Sequence, residues 1–216
     1  MDKEKMIQRI KGLLKRRGFE LFTRPFELNI VGLRNKNSRN GDEIHVFYKV
    51  NARNWNYHVY EGITDPYYLI KSKSPVLLKE GQYKDAFEIG THRESIGLIQ
   101  VKPVTVLEGN DRDSNFSAGK SNIGYYHIDI ISQSSFSKED EGCQIILGEE
   151  NFKELMTFCK KQQELYGNHF TYSLIDFRAA KRSFMTGMAI AASILSSLLF
   201  GYFFKKEEKT KRKKRK

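Results

Sequence analysis

The chain has 216 residues, and its hydrophobic share of 39% suffices for one core, so we expect one soluble domain of about 180 residues. The formal net charge is +11, but residues 205–216 alone hold nine basic and two acidic side chains, and the remaining +4 is spread over everything before them. This distribution disfavours specific nucleic-acid binding by the domain. Two cysteines exclude a disulfide framework.

The first predicted element is a helix over residues 2–17 that ends at Gly18. Lys and Arg occupy one face of it, and the other face is apolar, with Met6, Ile10, Leu13 and Leu14. We predict that it packs on a sheet with its cationic face in solvent; contact of that face with anionic lipid or wall polymer is the alternative. No uninterrupted apolar region follows its basic residues, so we expect no secretory signal.

Strands and turns are predicted over residues 19–107. The apolar runs at 28–33 and 43–48 flank a segment rich in Asn and Gly, which is typical of a hairpin, and residues 55–60 and 101–107 indicate further strands. A Gly-rich phosphate loop, a Gly-x-Ser-x-Gly elbow and a His-Glu-x-x-His motif are all missing from this part of the sequence. We therefore predict no cofactor.

A metal site is not expected either. Residues 110–115 begin like a calcium loop, but Phe116 stands where the loop needs Gly, and Asn122 stands where it needs a bidentate Glu. Cys143 and Cys159 lack metal-ligand spacing.

The stretch most suggestive of chemistry spans residues 124–146. Polar and apolar residues alternate over 126–131, so we predict a strand that projects His127 and Asp129 to the same side. A polar loop then returns the chain to Cys143, where a second apolar run begins. This arrangement predicts an imidazole, a carboxylate and a thiol near one sheet edge.

Such a set is what a thiol nucleophile needs, because an imidazole can take the thiol proton and later return it to a leaving group. In this hypothesis Cys143 is the nucleophile, His127 the general base and acid, and Asp129 or a backbone carbonyl orients the imidazole. Gly142 leaves room for close backbone approach, and nearby N–H groups hold the oxyanion. The alternative for Cys143 is a buried strand cysteine.

His127 stands sixteen positions before Cys143. In this the stretch resembles the catalytic segment of L,D-transpeptidases (the YkuD-type fold), where a strand-borne His precedes a Ser/Thr-His-Gly-Cys motif. It also resembles phage and prophage peptidoglycan proteins with a Gly-Ile-Asn-Ile-His strand and a Ser-Ala-Gly-Cys-Gln-Val segment. The resemblance implies a β-rich catalytic domain that acts on peptidoglycan stem peptides by acyl transfer or hydrolysis through cysteine.

The sequence departs from the family pattern beside the cysteine. Asp140-Glu141 replaces Ser/Thr-His, and Gln144 stands where Arg or Asn often follows. When residues 124–131 are aligned on the Gly-Ile-Asn-Ile-His pattern of the phage proteins, the Asn of that pattern falls on His127 and its His falls on Asp129. Either His127 is the base, shifted by two positions, or the base is lost and the protein binds without turnover.

A second match to the phage-like proteins covers residues 79–100, where Gly81-Gln82-Tyr83 and Gly90-Thr91-His92-Arg93 stand. With Gln144, the resemblance implies Tyr83, His92 and Arg93 as substrate-binding residues. His92, at the end of a predicted strand, is either a substrate contact or an ordinary hydrogen-bonded loop histidine. Arg93 either clamps a substrate carboxylate or lies in solvent.

After the cysteine we predict a helix over residues 149–166 that ends at Gly167, and a closing strand over 170–177. Cys159 falls on the apolar face of this helix with Phe152, Leu155 and Met156, so we predict that it is a small buried hydrophobe. The order of elements predicts an α+β domain, mostly antiparallel, with flanking helices.

Residues 184–204 carry no charge over 21 positions, which is long enough to cross a bilayer. We predict a single C-terminal transmembrane anchor, with the basic tail at 205–216 on anionic lipid. Basic residues after the span outnumber those before it, which favours an extracytoplasmic domain. The predicted parts are thus a basic amphipathic helix (1–18), a β-rich domain (19–180), the span and the tail.

Three functions follow, in this order. The first is a membrane-anchored cysteine enzyme of the L,D-transpeptidase type that acts on stem peptides. The second is an inactive relative that serves as a cell-wall-binding or virion-associated module. The third is a nucleic-acid or anionic-membrane binder that uses the basic tail.

Overall fold

Two α-helices and eleven strands lie in the part of the chain that the computed structural model describes, residues 2–35, 41–65, 76–109 and 120–177. The helices are α1 (Lys3–Arg16) and α2 (Glu149–Tyr166). The strands, in chain order, are β1 (Asn29–Arg34), β2 (Asp42–Lys49), β3 (Trp55–Ile63), β4 (Val76–Leu78), β5 (Gly81–His92), β6 (Ser95–Gln100), β7 (Val104–Glu108), β8 (Lys120–Gly124), β9 (Ile130–Ser132), β10 (Gln144–Ile146) and β11 (Phe170–Asp176).

Eight of the strands close into a barrel in the order β1, β11, β5, β6, β9, β10, β3, β2. Two neighbouring pairs are parallel, β1 with β11 and β9 with β10, and the other six are antiparallel. The remaining strands form a separate antiparallel sheet in the order β4, β7, β8. The predicted α+β class with mostly antiparallel strands is confirmed. The closure of the sheet is a feature that the sequence analysis did not predict.

The N-terminal helix α1 covers the outside of the barrel. Asp2 caps it, since its side chain accepts a hydrogen bond of 3.1 Å from the amide of Glu4. Its buried residues pack against outward-facing apolar side chains of β1, β2 and β11, namely Val31, Leu33, Phe47 and Ile175. The predicted helix and its apolar face are confirmed. Because β1 is covered on both faces, all six of its residues are buried.

The barrel interior is filled by the inward-facing side chains of its strands together with one face of α2. Cys159 lies on that face, fully buried beside Leu155, as predicted. The Tyr172 ring of β11 passes over β1 at Gly32, where a Cβ atom would stand only 2.8 Å from the ring carbon Cζ. Gly32 therefore makes room for the fully buried ring of Tyr172 inside the barrel.

Several element boundaries match the sequence analysis, and two do not. The hairpin β1–β2, helix α2 and strand β11 are confirmed, and the apolar run that follows Cys143 forms strand β10. The strand predicted over 101–107 begins only at Val104, because the amide of Val101 is still bonded to the carbonyl of Ala86, on β5. The strand predicted over 126–131 is wrong for its first half, since regular pairing starts at Ile130.

Some predictions lie outside the described residues: the hairpin tip at 36–40, the calcium-like segment at 110–119, and everything from residue 178 onward. The last of these includes the predicted membrane anchor and basic tail. Residues 1–177 and 178–216 form separate units by their internal contacts. Within the described residues, neither helix combines the length and apolar character needed to cross a bilayer.

Gly32→Ala tests the room that Tyr172 requires. The added methyl group meets a fully buried ring, so we expect a loss in the free energy of unfolding of about 3 kcal/mol, or failure to fold. Gly12→Ala in α1 is the matched control: its nearest contact is the tip of Arg16 at 3.5 Å, and we expect a gain of roughly 0.5–1 kcal/mol. Urea unfolding followed by the fluorescence of Trp55 measures both. Equal effects of the two substitutions would contradict the packing described.

Candidate functional site

His92 lies at the end of β5, buried between two aspartates that come from separate parts of the chain. Its Nδ1 is 2.7 Å from Oδ2 of Asp129, which immediately precedes β9, and its Nε2 is 3.1 Å from Oδ1 of Asp140, in the loop before β10. All three side chains are at least nine-tenths buried. The imidazole therefore bridges two carboxylates inside the protein.

This geometry fits the doubly protonated ring. A neutral imidazole has a single N–H and donates to one acceptor only, which would leave its other nitrogen facing a carboxylate lone pair. The imidazolium donates from both nitrogens, and its charge offsets part of the charge of the two aspartates. His92 thus holds two chain segments together through one hydrogen bond at each ring nitrogen.

The second oxygens of both aspartates are also satisfied. Oδ1 of Asp129 accepts a bond of 2.8 Å from the amide of Gln100, at the end of β6. Oδ2 of Asp140 accepts one of 2.6 Å from the amide of Ser137. These bonds fix both carboxylates against the backbone, which is the condition for keeping a charge buried.

Arg93 adds a second cation at the rim. It has a positive φ of 54° and lies in the turn between β5 and β6. One of its terminal nitrogens is 3.0 Å from Oδ1 of Asp140 and 2.9 Å from Glu139, and the other donates to the hydroxyl of Ser137. The guanidinium is therefore engaged by the loop before Cys143, although the side chain is 42% exposed.

The thiol of Cys143 is sealed from solvent. The residue is 1% exposed and packs in an apolar cluster with Ile131 and Ile145. Its Sγ donates to the backbone carbonyl of His127 at 3.3 Å. Burial raises the pKa of the thiol to about 12, and the negative charges of the nearby aspartates act in the same direction.

His127 and Asp129 do not share a face, which corrects the expectation of one strand carrying both. His127 is exposed and adopts a left-handed φ of 53°, whereas Asp129 is buried. The physical reason lies in Gln100, whose side-chain oxygen accepts bonds from the amides of Tyr126 and Ile128, both at 3.0 Å. A side chain thus replaces the neighbouring strand that the alternation of residues implied.

Only the backbone of His127 reaches the sulfur. Its carbonyl accepts from the thiol and also from the amide of Asp129 at 3.1 Å. The described residues include no hydrogen-bond partner for its imidazole, which faces solvent. The structure therefore brings the residue next to Cys143 without bringing the ring to the thiol.

Gly142 precedes the cysteine with a φ of 80°, in the region that favours glycine. A Cβ atom there would collide with the Ile128 side chain and stand 3.0 Å from the carbonyl oxygen of Val76. The space beside Gly142 is thus filled by protein atoms. Its carbonyl accepts a bond of 2.8 Å from the Gln144 side chain, which in turn accepts one of 2.9 Å from the Tyr172 hydroxyl.

Two of the predicted substrate-binding residues point inward. Gln144 is fully buried in the contact just described, and Tyr83 is 8% exposed, with its hydroxyl donating to the carbonyl of Lys79 at 2.6 Å. Burial raises the pKa of Tyr83 above its ordinary value. The structure therefore brings together His92, Arg93 and Asp129 around the loop before Cys143, and it keeps the other two in internal roles.

Two residues of this network were missed. Asp140 was noted only as a departure from the family pattern, yet it contacts both His92 and Arg93. Gln100 was not singled out, although its amide and side chain hold the segment that leads to Asp129. An acidic residue three positions before a buried cysteine was the available signal for the first. For Gln100 the sequence offered no such signal, because a single Gln at a strand end is not distinctive.

Comparisons of the chain with known protein families, with curated proteins and with solved structures found no match. The likeness to L,D-transpeptidases therefore stays a prediction that rests on the motif residues. Among the described residues, no group of three or more His, Cys, Asp or Glu side chains is placed to hold a metal ion.

Asp140→Asn tests whether the buried bridge stabilises the fold. The substitution removes a buried acceptor charge. It also places amide hydrogens opposite the N–H donors that now bond to Asp140, so we expect the free energy of unfolding to fall by roughly 3 kcal/mol. Glu139→Gln is the matched control, since this neighbour also pairs with Arg93 but is 85% exposed; we expect a change below about 0.5 kcal/mol. Urea unfolding measures both values. Similar losses for the two variants would show that the bridge adds nothing beyond a surface pair.

Proposed function

We propose that this chain is a non-catalytic cell-wall-binding module, built on a barrel that carries a cysteine-enzyme-like segment without a working nucleophile. The observation that supports this is the sealed thiol of Cys143, 1% exposed and bonded to a carbonyl. Of the functions that the sequence left open, this geometry favours the inactive relative over the enzyme.

Nucleophilic catalysis by Cys143 needs an ionisable thiol and a nearby general base, and the geometry favours neither. With a pKa raised to about 12 from 9.0, the thiol ionises about a thousandfold less than an ordinary one at neutral pH. Among the described residues the Sγ atom is bonded to a backbone carbonyl and to no general base, and both ring nitrogens of His92 are already bonded to aspartates. An attack on a substrate carbonyl would need the apolar cluster around Cys143 to open and the His92 bridge to break.

The ligand class is taken from the resemblance to peptidoglycan-active proteins, and a groove of about 480 Å³ supports it. It lies between the segment that follows α1, the start of β5 and the end of α2. Side chains of both charges line it, among them Glu20, Arg24, Glu27, Lys84 and Asp85. Stem peptides carry carboxylates and amines, so a groove of mixed charge matches their chemistry.

Some contacts of the groove tie its helix to the barrel, and others are surface ion pairs that a ligand could replace. Arg24 stacks on the ring of Tyr166 at 4.2 Å and pairs with Glu27, and the buried Gln162 side chain ties α2 to the amide of Leu28 at 2.7 Å. Asp85 projects from a left-handed corner with a φ of 48°, and its backbone amide donates to Thr171. A zwitterionic peptide would replace these surface pairs with pairs of its own.

The thiol is tested by alkylation in a Cys159→Ala background, which leaves Cys143 as the single reporter. At pH 8 we expect iodoacetamide to react at least a hundredfold more slowly with native protein than with urea-denatured protein, because about a thousandfold fewer thiolates form in the fold. A carbapenem-type acylating agent should leave no adduct. Native labelling within tenfold of the denatured rate, or acylation of Cys143, would restore the enzyme hypothesis.

Binding is tested by sedimentation of the full chain, in detergent, with purified peptidoglycan. We expect Cys143→Ala to bind as wild type does and Arg24→Gln/Asp85→Asn to bind about tenfold more weakly per lost charge-assisted contact. Asn suits the left-handed backbone of residue 85, so the fold is preserved.

Lys138→Gln is the control for this experiment, because it removes an exposed charge outside the groove. It should bind as wild type does. Muropeptide turnover by wild type, or loss of binding on Cys143→Ala, would contradict the proposal. Retained binding in the groove variant would place the ligand elsewhere on the surface.

A further inference from the structure

The positive charge of this chain is concentrated at its two ends. Residues 1–17 contain seven basic and two acidic side chains, a net charge of +5, and residues 205–216 contribute +7. The 187 residues between them hold 21 basic and 22 acidic side chains, a net charge of −1. The N-terminal helix is therefore a cationic element attached to an otherwise balanced domain.

The basic side chains of α1 lie on the solvent-exposed side of the helix. The apolar face of α1 is occupied by the barrel, so the opposite face is free to meet a partner: Lys5, Arg9, Lys15 and Arg16 are all exposed there. In the described part of the chain, Lys5, Lys15 and Arg16 have no acidic side chain within salt-bridge distance. Glu4 is the one acidic residue within the helix.

The cationic surface continues onto the hairpin between β2 and β3. Nζ of Lys11 lies 3.7 Å from the centre of the Trp55 ring, and Nζ of Lys49 approaches the same ring at 5.6 Å. The turn beside them exposes Arg53 and the apolar Val50, which is 41% exposed. We call α1's outer residues together with this hairpin tip the basic face.

Two cations of the basic face, Lys11 and Lys49, lie close together at the Trp55 ring. Burial lowers the pKa of Lys11, and the charge of Lys49 lowers it further. Cations held side by side on a helix repel one another, and an anionic partner relieves that repulsion. The free surface of α1 therefore has the chemistry of a docking site for a polyanion.

We propose that the basic face docks on the surface of an anionic lipid bilayer. A bilayer is favoured over a soluble polyanion because the same chain carries 21 uncharged residues at 184–204 and then a second basic run, the pattern of an anchor with an anionic headgroup contact. The apolar side of α1 is already buried, so the contact is electrostatic and lies at headgroup depth, without insertion of the helix. This inference is independent of the cell-wall function.

The test uses Trp55, which is the sole tryptophan of the chain and lies within the basic face. The full chain is reconstituted into vesicles of phosphatidylcholine alone or with 30% phosphatidylglycerol, each carrying a headgroup spin label that quenches nearby fluorescence. We expect at least twofold more quenching in the anionic vesicles at 0.1 M salt. The difference should vanish at 1 M salt, where screening reduces the range of charges to about 3 Å.

Two variants with four substitutions each distinguish an effect of the basic face from an effect of the total charge. Lys5→Gln/Arg9→Gln/Lys15→Gln/Arg16→Gln should reduce quenching in anionic vesicles to the level of neutral ones. Lys120→Gln/Lys138→Gln/Lys153→Gln/Lys160→Gln removes the same charge from exposed positions on other elements and should quench as wild type does. Neither set alters the residues that contact the indole.

Three results would overturn the proposal. Equal quenching in neutral and anionic vesicles, or an undiminished signal from the basic-face variant, would exclude an electrostatic contact with lipid. Quenching by a label placed deep in the acyl chains would show insertion instead of docking. Loss of binding to soluble polyphosphate in the same variant, with vesicle quenching unchanged, would assign the face to an anionic polymer.

Discussion

The pairing of His92 with two aspartates organises this domain. It joins the end of β5, the segment before β9 and the loop before β10, which are distant in sequence but belong to one run of barrel strands, β5, β6, β9 and β10. Each carboxylate is also held by a backbone amide, so the three side chains can neither rotate nor hydrate independently. The position of Cys143, three residues beyond Asp140, follows from that arrangement. The three buried side chains thus fix the loop that ends at Cys143, whose thiol is itself buried.

The same atoms explain why residue patterns alone misplaced His127 relative to Asp129. Alternation over residues 126–131 indicated a strand, and two polar side chains at spacing two then implied a common face. The rule failed because the Gln100 side-chain oxygen accepts hydrogen bonds from two amides of that stretch, and His127 enters the left-handed region. Contacts of this kind join residues about 26 positions apart, and no local pattern encodes them. The helices, the β1–β2 hairpin and β11 were predictable because caps, turn residues and apolar periodicity are local signals.

The candidate site divides in the same way. The sequence drew attention to His92, Arg93, Asp129 and Cys143, and the structure places these four residues in one region. It could not distinguish a catalytic group from a structural one, because the distinction depends on solvent access. The thiol beside Ile131 and Ile145 and the amide of Gln144 under Tyr172 are buried by side chains from several strands. Burial decides ionisation, and ionisation decides whether a cysteine reacts.

The parallel pairing of β1 with β11 has a consequence for how the molecule forms. Ile30 is the partner of Tyr172, so the ring of strands closes through contacts between residues 142 positions apart. Loop-closure entropy must be overcome before such contacts contribute, which slows folding. During synthesis, the strands made earlier remain an open sheet with two unpaired edges until the last one emerges. The domain therefore acquires its native core only after β11 has been synthesised, and any factor that shields those edges before then would govern its yield.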